Sequence, residues 1–273
     1  MNTTPSGSTA QILVHQRYAW RRNYVLFVPM CTDTMIATKG YISSTADQLQ
    51  CYGGGSCVLF TPVSSDVICT DYSVSMTFSL GERYDLFTLP LNSSFTIGFF
   101  GGNWLNLAMQ GGGYWQATGR IDLSIRPDGV LNTSPVTSTL PVIYRTINVE
   151  HVHIIQMADA DSSDTLRCRW STDNITIANP NGYDECASAC APSLPTFTLI
   201  PENCTLVFTI NVTDYYAVAL QIEDFYTSAS TTPMSSVPIQ FLFFGTIPPT
   251  GCSAPPFIIG VRPNLGLMIF ISF

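Results

Sequence analysis

The sequence predicts an all-β protein built as two consecutive β-sandwich domains, the second an immunoglobulin- or cadherin-like Greek key. Short runs of alternating or continuous apolar residues recur along the chain, separated by segments rich in glycine, proline, serine and threonine. No long amphipathic helical pattern interrupts them. The 273 residues suffice for two ordinary domains, each with a core of its own.

In the first domain, residues 1–130, strands are expected at YVLFVPM (24–30), SVSMTFSL (73–80), FTIGFFG (95–101), WLNLAMQ (104–110) and IDLSI (121–125), divided by GGGS, GGN and QGGG. The run RPDGVLNTSPVTSTLP (126–141) reads as a turn followed by a proline-punctuated extended segment, and the boundary is placed there. The second domain, residues 131–245, is more regular. Its strands are expected at VIYRTINV (142–149), HVHIIQM (151–157), TLRCRW (165–170), CTLVFTI (204–210), YYAVALQI (215–222) and VPIQFLF (237–243). Asp214-x-Tyr216-x-Val218 has the spacing of a tyrosine corner, with valine where immunoglobulin domains carry cysteine. Residues 246–273 form a proline-rich linker and an apolar terminal strand.

Charged residues make up 11% of the chain, against roughly 25% in ordinary soluble domains. Lys39 is the only lysine, net charge is −8 and no basic cluster occurs, which argues against a nucleic-acid partner. Six N-x-[ST] sequons stand at Asn2, Asn92, Asn132, Asn174, Asn203 and Asn211, where thirteen asparagines in such a composition would give roughly three by chance. N-linked glycans there would hydrate a surface poor in charge.

The nine cysteines divide into a quartet of Cys31, Cys51, Cys57 and Cys69, a second of Cys168, Cys186, Cys190 and Cys204, and a leftover Cys252. None has the paired knuckles of a zinc site, so disulfides in an oxidising, extracellular compartment are expected. Each quartet allows three connectivities. In TLRCRW, Cys168 shares a face with Leu166 and Trp170; in CTLVFTI, Cys204 shares one with Leu206 and Phe208. This alternation favours Cys168–Cys204 with Cys186–Cys190 closing a small loop, while ties from each strand to the intervening loop remain open.

MNTTPSGSTA lacks the charged and apolar regions of a secretory signal, so the chain reads as a mature or partial sequence. LGLMIFISF is far shorter than a membrane span of roughly 20 residues.

The run MADADSSDTLRCRW, then EC-x3-C, CTLVF, YYAVALQIEDF and PMSSVPIQFLF resembles an uncharacterised cysteine-bridged module of large secreted or surface proteins of marine invertebrates and lancelets. FTIGFF, GGGYW and RPDGVLNTSPVT are similar too, so the likeness covers roughly residues 66 to 245. It implies an extracellular β-sandwich with no assigned catalysis. This chain departs from it at Ser162-Ser163, where the module's D-x-D-G-D turn carries glycine.

Several residues invite a sharper chemistry. Asp159, Asp161 and Asp164 have the look of a calcium loop, but the sixth and twelfth positions hold Asp164 and Trp170 instead of glycine and glutamate. A hydrogen-bonded turn is the expectation, with no metal or other cofactor. His151 and His153 share a strand face, yet a zinc site would need His15 from the other domain or a carboxylate. Glu223 and Asp224 are adjacent and point to opposite faces, a poor acid–base pair. Trp104, Tyr114 and Trp115 flank glycines and could stack on sugar rings, or fill the core. The uncharged terminal segments, with Cys252, Phe257, Ile258, Ile259, Leu267, Met268, Ile269 and Phe270, could pair with a neighbour's open sheet edge. YVLFVPM could do the same. The expected function is that of a secreted structural or adhesive glycoprotein that self-associates, with glycan binding as the alternative.

Overall fold

The computed structural model describes residues 7–22, 30–42, 47–102, 105–109, 112–173, 179–190, 194–248 and 251. The protein is all-β. Among the described residues the one α-helix is a single short segment, Asp33–Thr38. Among these residues no helix is long and apolar enough to cross a membrane.

The first sandwich opposes two sheets. One runs in the order Thr9–Arg21, Phe78–Pro90, Val67–Ser73, Tyr41–Ile42, all antiparallel. The other contains Trp115–Asp122, Ser94–Gly101, Gln48–Gly53 and Val63–Ser64. Between them lie Ile42, Val67, Leu89, Phe95, Ile97, Phe99 and Leu123. A cluster of Tyr18, Trp20, Phe99 and Trp115 has ring centroids 4.6 to 6.1 Å apart.

One of the two longest strands of this half, Thr9–Arg21, was not expected from the sequence. Its inward row of Ala10, Ile12, Val14, Gln16, Tyr18 and Trp20 contains a buried glutamine, and Leu13 stands exposed on its outward row. Both break the alternation that marks a half-buried strand. Gln16 is satisfied: its amide donates to Asp85 Oδ2 and to the Ser64 carbonyl, both at 3.2 Å, and accepts from the Tyr18 hydroxyl at 2.9 Å.

Three expected strands of this half need correction, and IDLSI is strand only through Asp122. SVSMTFSL is not one strand: Ser73 ends Val67–Ser73 and Phe78 opens the next strand, because the chain turns through 74–77 with Thr77 at φ 57°. The described part of WLNLAMQ is loop: its leucines pack at the junction of the two halves, where Leu107 joins Val142, Ala217, Ala219 and Leu242.

The second sandwich has the strand sets of an immunoglobulin domain. Glu150–Ile154, Thr205–Thr209 and Thr196–Ile200 form one sheet. Thr165–Trp170, Tyr215–Phe225, Ser235–Thr246 and Val142–Thr146 form the other, the last pair parallel. HVHIIQM divides at buried Ile155, and its end pairs with Val136–Ser138. Tyr216 is a tyrosine corner: its fully buried hydroxyl accepts from the amides of Asn211 and Val212 at 3.3 and 3.1 Å and donates to Asn211 Oδ1 at 3.0 Å.

Four disulfides join Cys31 to Cys69, Cys51 to Cys57, Cys168 to Cys204 and Cys186 to Cys190. The Cys168–Cys204 bridge ties Thr165–Trp170 in one sheet to the start of Thr205–Thr209 in the other, and so staples the sandwich. The sandwiches meet edge to edge where Ser236 pairs with Arg120, which makes one sheet run through both halves. Asn2, Asn174, Trp104, YVLFVP, Cys252 and the terminal residues Phe257, Ile258, Ile259, Leu267, Met268, Ile269 and Phe270 lie outside the described residues.

Tyr216→Phe removes the hydroxyl at the corner and leaves two backbone amides without their acceptor. The variant should lose about 1–3 kcal/mol in urea unfolding. A loss within error would show that the corner carries no stability.

Candidate functional site

The acidic turn at 158–164 is a clasp on the linker between the sandwiches. Arg126 enters it with its side chain only 3% exposed. Its guanidinium meets Asp161 Oδ2 at 3.0 Å, Asp164 Oδ1 at 2.8 Å and Asp128 Oδ2 at 3.0 Å, and donates to Ser163 Oγ at 3.0 Å. Thr133, a few residues on, donates its amide to Asp161 Oδ2 at 2.7 Å and its hydroxyl to Asp159 Oδ1 at 3.1 Å. The Asp161 amide closes the turn on Asp159 Oδ1 at 2.8 Å. Asp159, Asp161 and Asp164 do bring carboxylate oxygens close together. The centre of the group already holds an arginine, so the donor set is a poor fit to calcium. Burial pushes the carboxyls of Asp159 and Asp164 above the usual range, opposed at Asp164 by Arg126.

Asp224 extends the clasp. Its fully buried carboxylate accepts from Asn132 Nδ2 at 2.6 Å and from the amide and hydroxyl of Ser235 at 2.6 and 2.9 Å. Burial pushes it up to about 6. Glu223, its neighbour in sequence, faces the other way and accepts from Arg169 Nε at 2.9 Å. Arg169 also grips Glu185 with two bonds of 2.6 and 2.7 Å. This second network holds the segment 179–190 across both halves. Asn181 donates to Glu185 at 2.6 Å, Thr96 donates to the Asn181 carbonyl at 2.7 Å, and Arg120 donates to that of Pro180 at 3.1 Å. Glu223 and Asp224 therefore serve two different joints.

His151 and His153 are packed into the fold, while His15 is exposed. His151 and His153 share the inward face as the strand period requires. His151 lies 2.7 Å from the Thr146 carbonyl and His153 3.2 Å from Arg145 Nη2, against the rings of Phe241 and Phe243. Burial, then the Arg145 charge, pushes His153 below its ordinary value. His15 sits in the first sandwich, 3.1 Å from Glu82.

Of the expected aromatic platform, Trp115 belongs to the first core, while Tyr114 is exposed and stacked on Phe100 at 5.2 Å. Sequence reasoning missed a different concavity. A hollow of about 550 Å³ opens on the outward side of the first sandwich, lined by Ile36, Lys39, Tyr41, Ile68, Glu82 and Tyr84 among others. The one sequence signal for it is the outward pair Glu82 and Tyr84 within Phe78–Pro90, which becomes legible once the strand is known.

Four sequons lie among the described residues. Asn92, Asn203 and Asn211 are exposed, and Asn211 uses only its carbonyl oxygen toward Tyr216. Asn132 differs, because its amide nitrogen is bound to Asp224.

Replacing Arg126 with methionine should destabilise the protein by roughly 3–5 kcal/mol, since it strands buried carboxylates. Millimolar calcium should leave the unfolding midpoint of the unchanged protein where it is. The raised value of Asp224 means the folded state holds that proton more tightly than the unfolded chain, whose value is 3.8. Its contribution to stability is therefore least favourable above pH 6 and improves as pH falls through 6 toward 4, by about 3 kcal/mol. Asp224→Asn should flatten that slope in urea midpoints measured at pH 4, 5 and 7; an unchanged slope would assign it to other groups.

The chain matches no family model and no curated protein. Among solved structures it is similar to the two tandem V-type regions of a v-region-containing chitin binding protein. Identity is 6%, coverage 88% of this chain and 100% of that one, and the TM-score 0.35. The immunoglobulin-type topology of the second sandwich follows from its strand pairing alone.

Proposed function

We propose that this chain is an extracellular, disulfide-bonded glycoprotein with a structural or adhesive role, and that it self-associates by pairing strands between molecules. The observation that carries this reading is an open edge. Thr9–Arg21 pairs along one side with Phe78–Pro90 and has no partner strand on its other side among the described residues. Its thirteen residues offer a ladder roughly 40 Å long. Such an edge accepts an incoming strand through backbone bonds. The uncharged segments FIIGV and LGLMIFISF of a neighbouring copy are the donors.

The two clasped sandwiches support a mechanical role, since the groups capable of chemistry are tied into joints by Arg126, Arg145 and Arg169. We assign no catalysis to them. Four disulfides support an oxidising, extracellular setting. A second reading, glycan binding, is favoured by the hollow beside Tyr41 and Tyr84.

Electron microscopy of the whole chain should show filaments or ordered oligomers, and a chain ending at residue 248 should remain monomeric in analytical ultracentrifugation. Assembly that survives the truncation would overturn strand donation by the tail. Glycopeptide mass spectrometry of protein secreted from eukaryotic cells should find sugar on Asn92, Asn203 and Asn211 and a bare Asn132, whose nitrogen is committed to Asp224. Full occupancy at Asn132 in folded protein would show that this contact is dispensable.

A further inference from the structure

We propose that the hollow above the Cys31–Cys69 bridge binds a single neutral pyranose ring, the terminal sugar of a glycan. The proposal rests on the glycan-binding reading and gives it a site, on different residues from the glycine-flanked aromatics. The volume of about 550 Å³ lies in the range of small-molecule sites and leaves room for a sugar ring and its exit.

The hollow is held rigid. Its floor includes Cys69, bonded to Cys31. Its rim is fixed where the Cys69 amide donates to the Gly40 carbonyl at 2.9 Å. The short helix Asp33–Thr38 beside it is capped by Thr32 and stopped by Lys39 at φ 53°. Little ordering is left for a ligand to impose.

Two tyrosines line it, and Tyr41 and Tyr84 are each 54% exposed. The Tyr84 ring lies parallel on His15 at 4.2 Å, so one face is covered and the other is open. Its hydroxyl donates to Glu82 Oε2 at 3.3 Å, and His15 holds the same oxygen at 3.1 Å. Ring and carboxylate are thus set in advance. An aromatic face matches the C–H face of a pyranose, which is apolar on that side. Among the described residues Glu82 Oε1 has no hydrogen-bond partner and can accept sugar hydroxyls, while the Lys39 ammonium has no carboxylate within ion-pair distance and can donate to them. Arg83 is turned onto Asp85, with bonds of 2.8 to 3.0 Å. That leaves Lys39 and Glu82 as the free charges among the lining residues, while Arg17, across the ladder from Glu82, is bonded to Ser138. The balance favours a neutral sugar over a sulfated or carboxylated one. A further exposed aromatic pair, Phe100 and Tyr114, is stacked as well but does not line this hollow.

The test uses the whole glycosylated chain on an array of neutral, sulfated and sialylated glycans. Saturation-transfer NMR follows, with methyl glycosides of glucose, galactose, mannose and N-acetylgalactosamine. Neutral glycans should bind, and Tyr84→Ala and Tyr41→Ala should each weaken binding at least tenfold. Tyr114→Ala should leave it unchanged. Matched thermal midpoints confirm folding, and Glu82→Gln should weaken binding without touching an aromatic ring. A silent array overturns glycan binding altogether. Neutral binding that survives both tyrosine variants overturns this site while leaving the glycan reading in place, and tighter binding of sulfated or sialylated glycans overturns the neutral-sugar assignment.

Discussion

The burial of Arg126 is the constraint on which the joint between the sandwiches depends. A guanidinium cannot be left in a dry interior without charge partners, because its desolvation outweighs any packing gain. Here the partners come from one turn, Asp161 and Asp164, and the charge comes from the linker. The linker is therefore not free to choose its path between the domains. Thr133 and Asn132 follow Arg126 onto the same surface, on Asp159, Asp161 and Asp224. More carboxylate is gathered than one arginine can neutralise. Burial raises the proton affinity of Asp159, Asp164 and Asp224 accordingly.

A chain with so few charges concentrates them. The second joint repeats the design with Arg169 between Glu185 and Glu223, under the segment that also bonds Thr96 and Arg120 of the first sandwich. Among the described residues only one ladder pair, Ser236 with Arg120, links the two halves of the shared sheet. Side-chain bonds, a backbone bond from Ala108 to Tyr215 and the apolar contacts of Leu105 and Leu107 carry the rest of the junction. Directional bonds of this kind fix an orientation, where an apolar contact alone would permit sliding. A rigid pair of sandwiches suits the structural role proposed for the chain, since an element that transmits load must keep its geometry.

Much of the second sandwich was legible because its residues answer to local periods. TLRCRW alternates, which puts Cys168 inward and Arg167 and Arg169 outward. TDYY carries the corner tyrosine at its expected spacing. The first half was harder. Thr9–Arg21 hides a buried glutamine on its inner face, and WLNLAMQ looks like a strand while its leucines serve the domain junction. The candidate sites followed the same division. The aspartates of the opening turn could be picked out by eye, but Arg126 as their partner could not.

Sequence alone determined what short-range order can fix: the all-β class, the faces on which Cys168, His151 and His153 lie, and the corner at Tyr216. A period of two residues along a strand is enough for each of these. Tertiary structure decided everything that joins residues far apart in the chain. It brought Arg126 to the acidic turn, turned Asn132 inward, paired the first four cysteines and gathered Tyr41, Glu82 and Tyr84 around one hollow. The physical reason is that these contacts depend on how sheets stack and edges meet, and no local pattern records that.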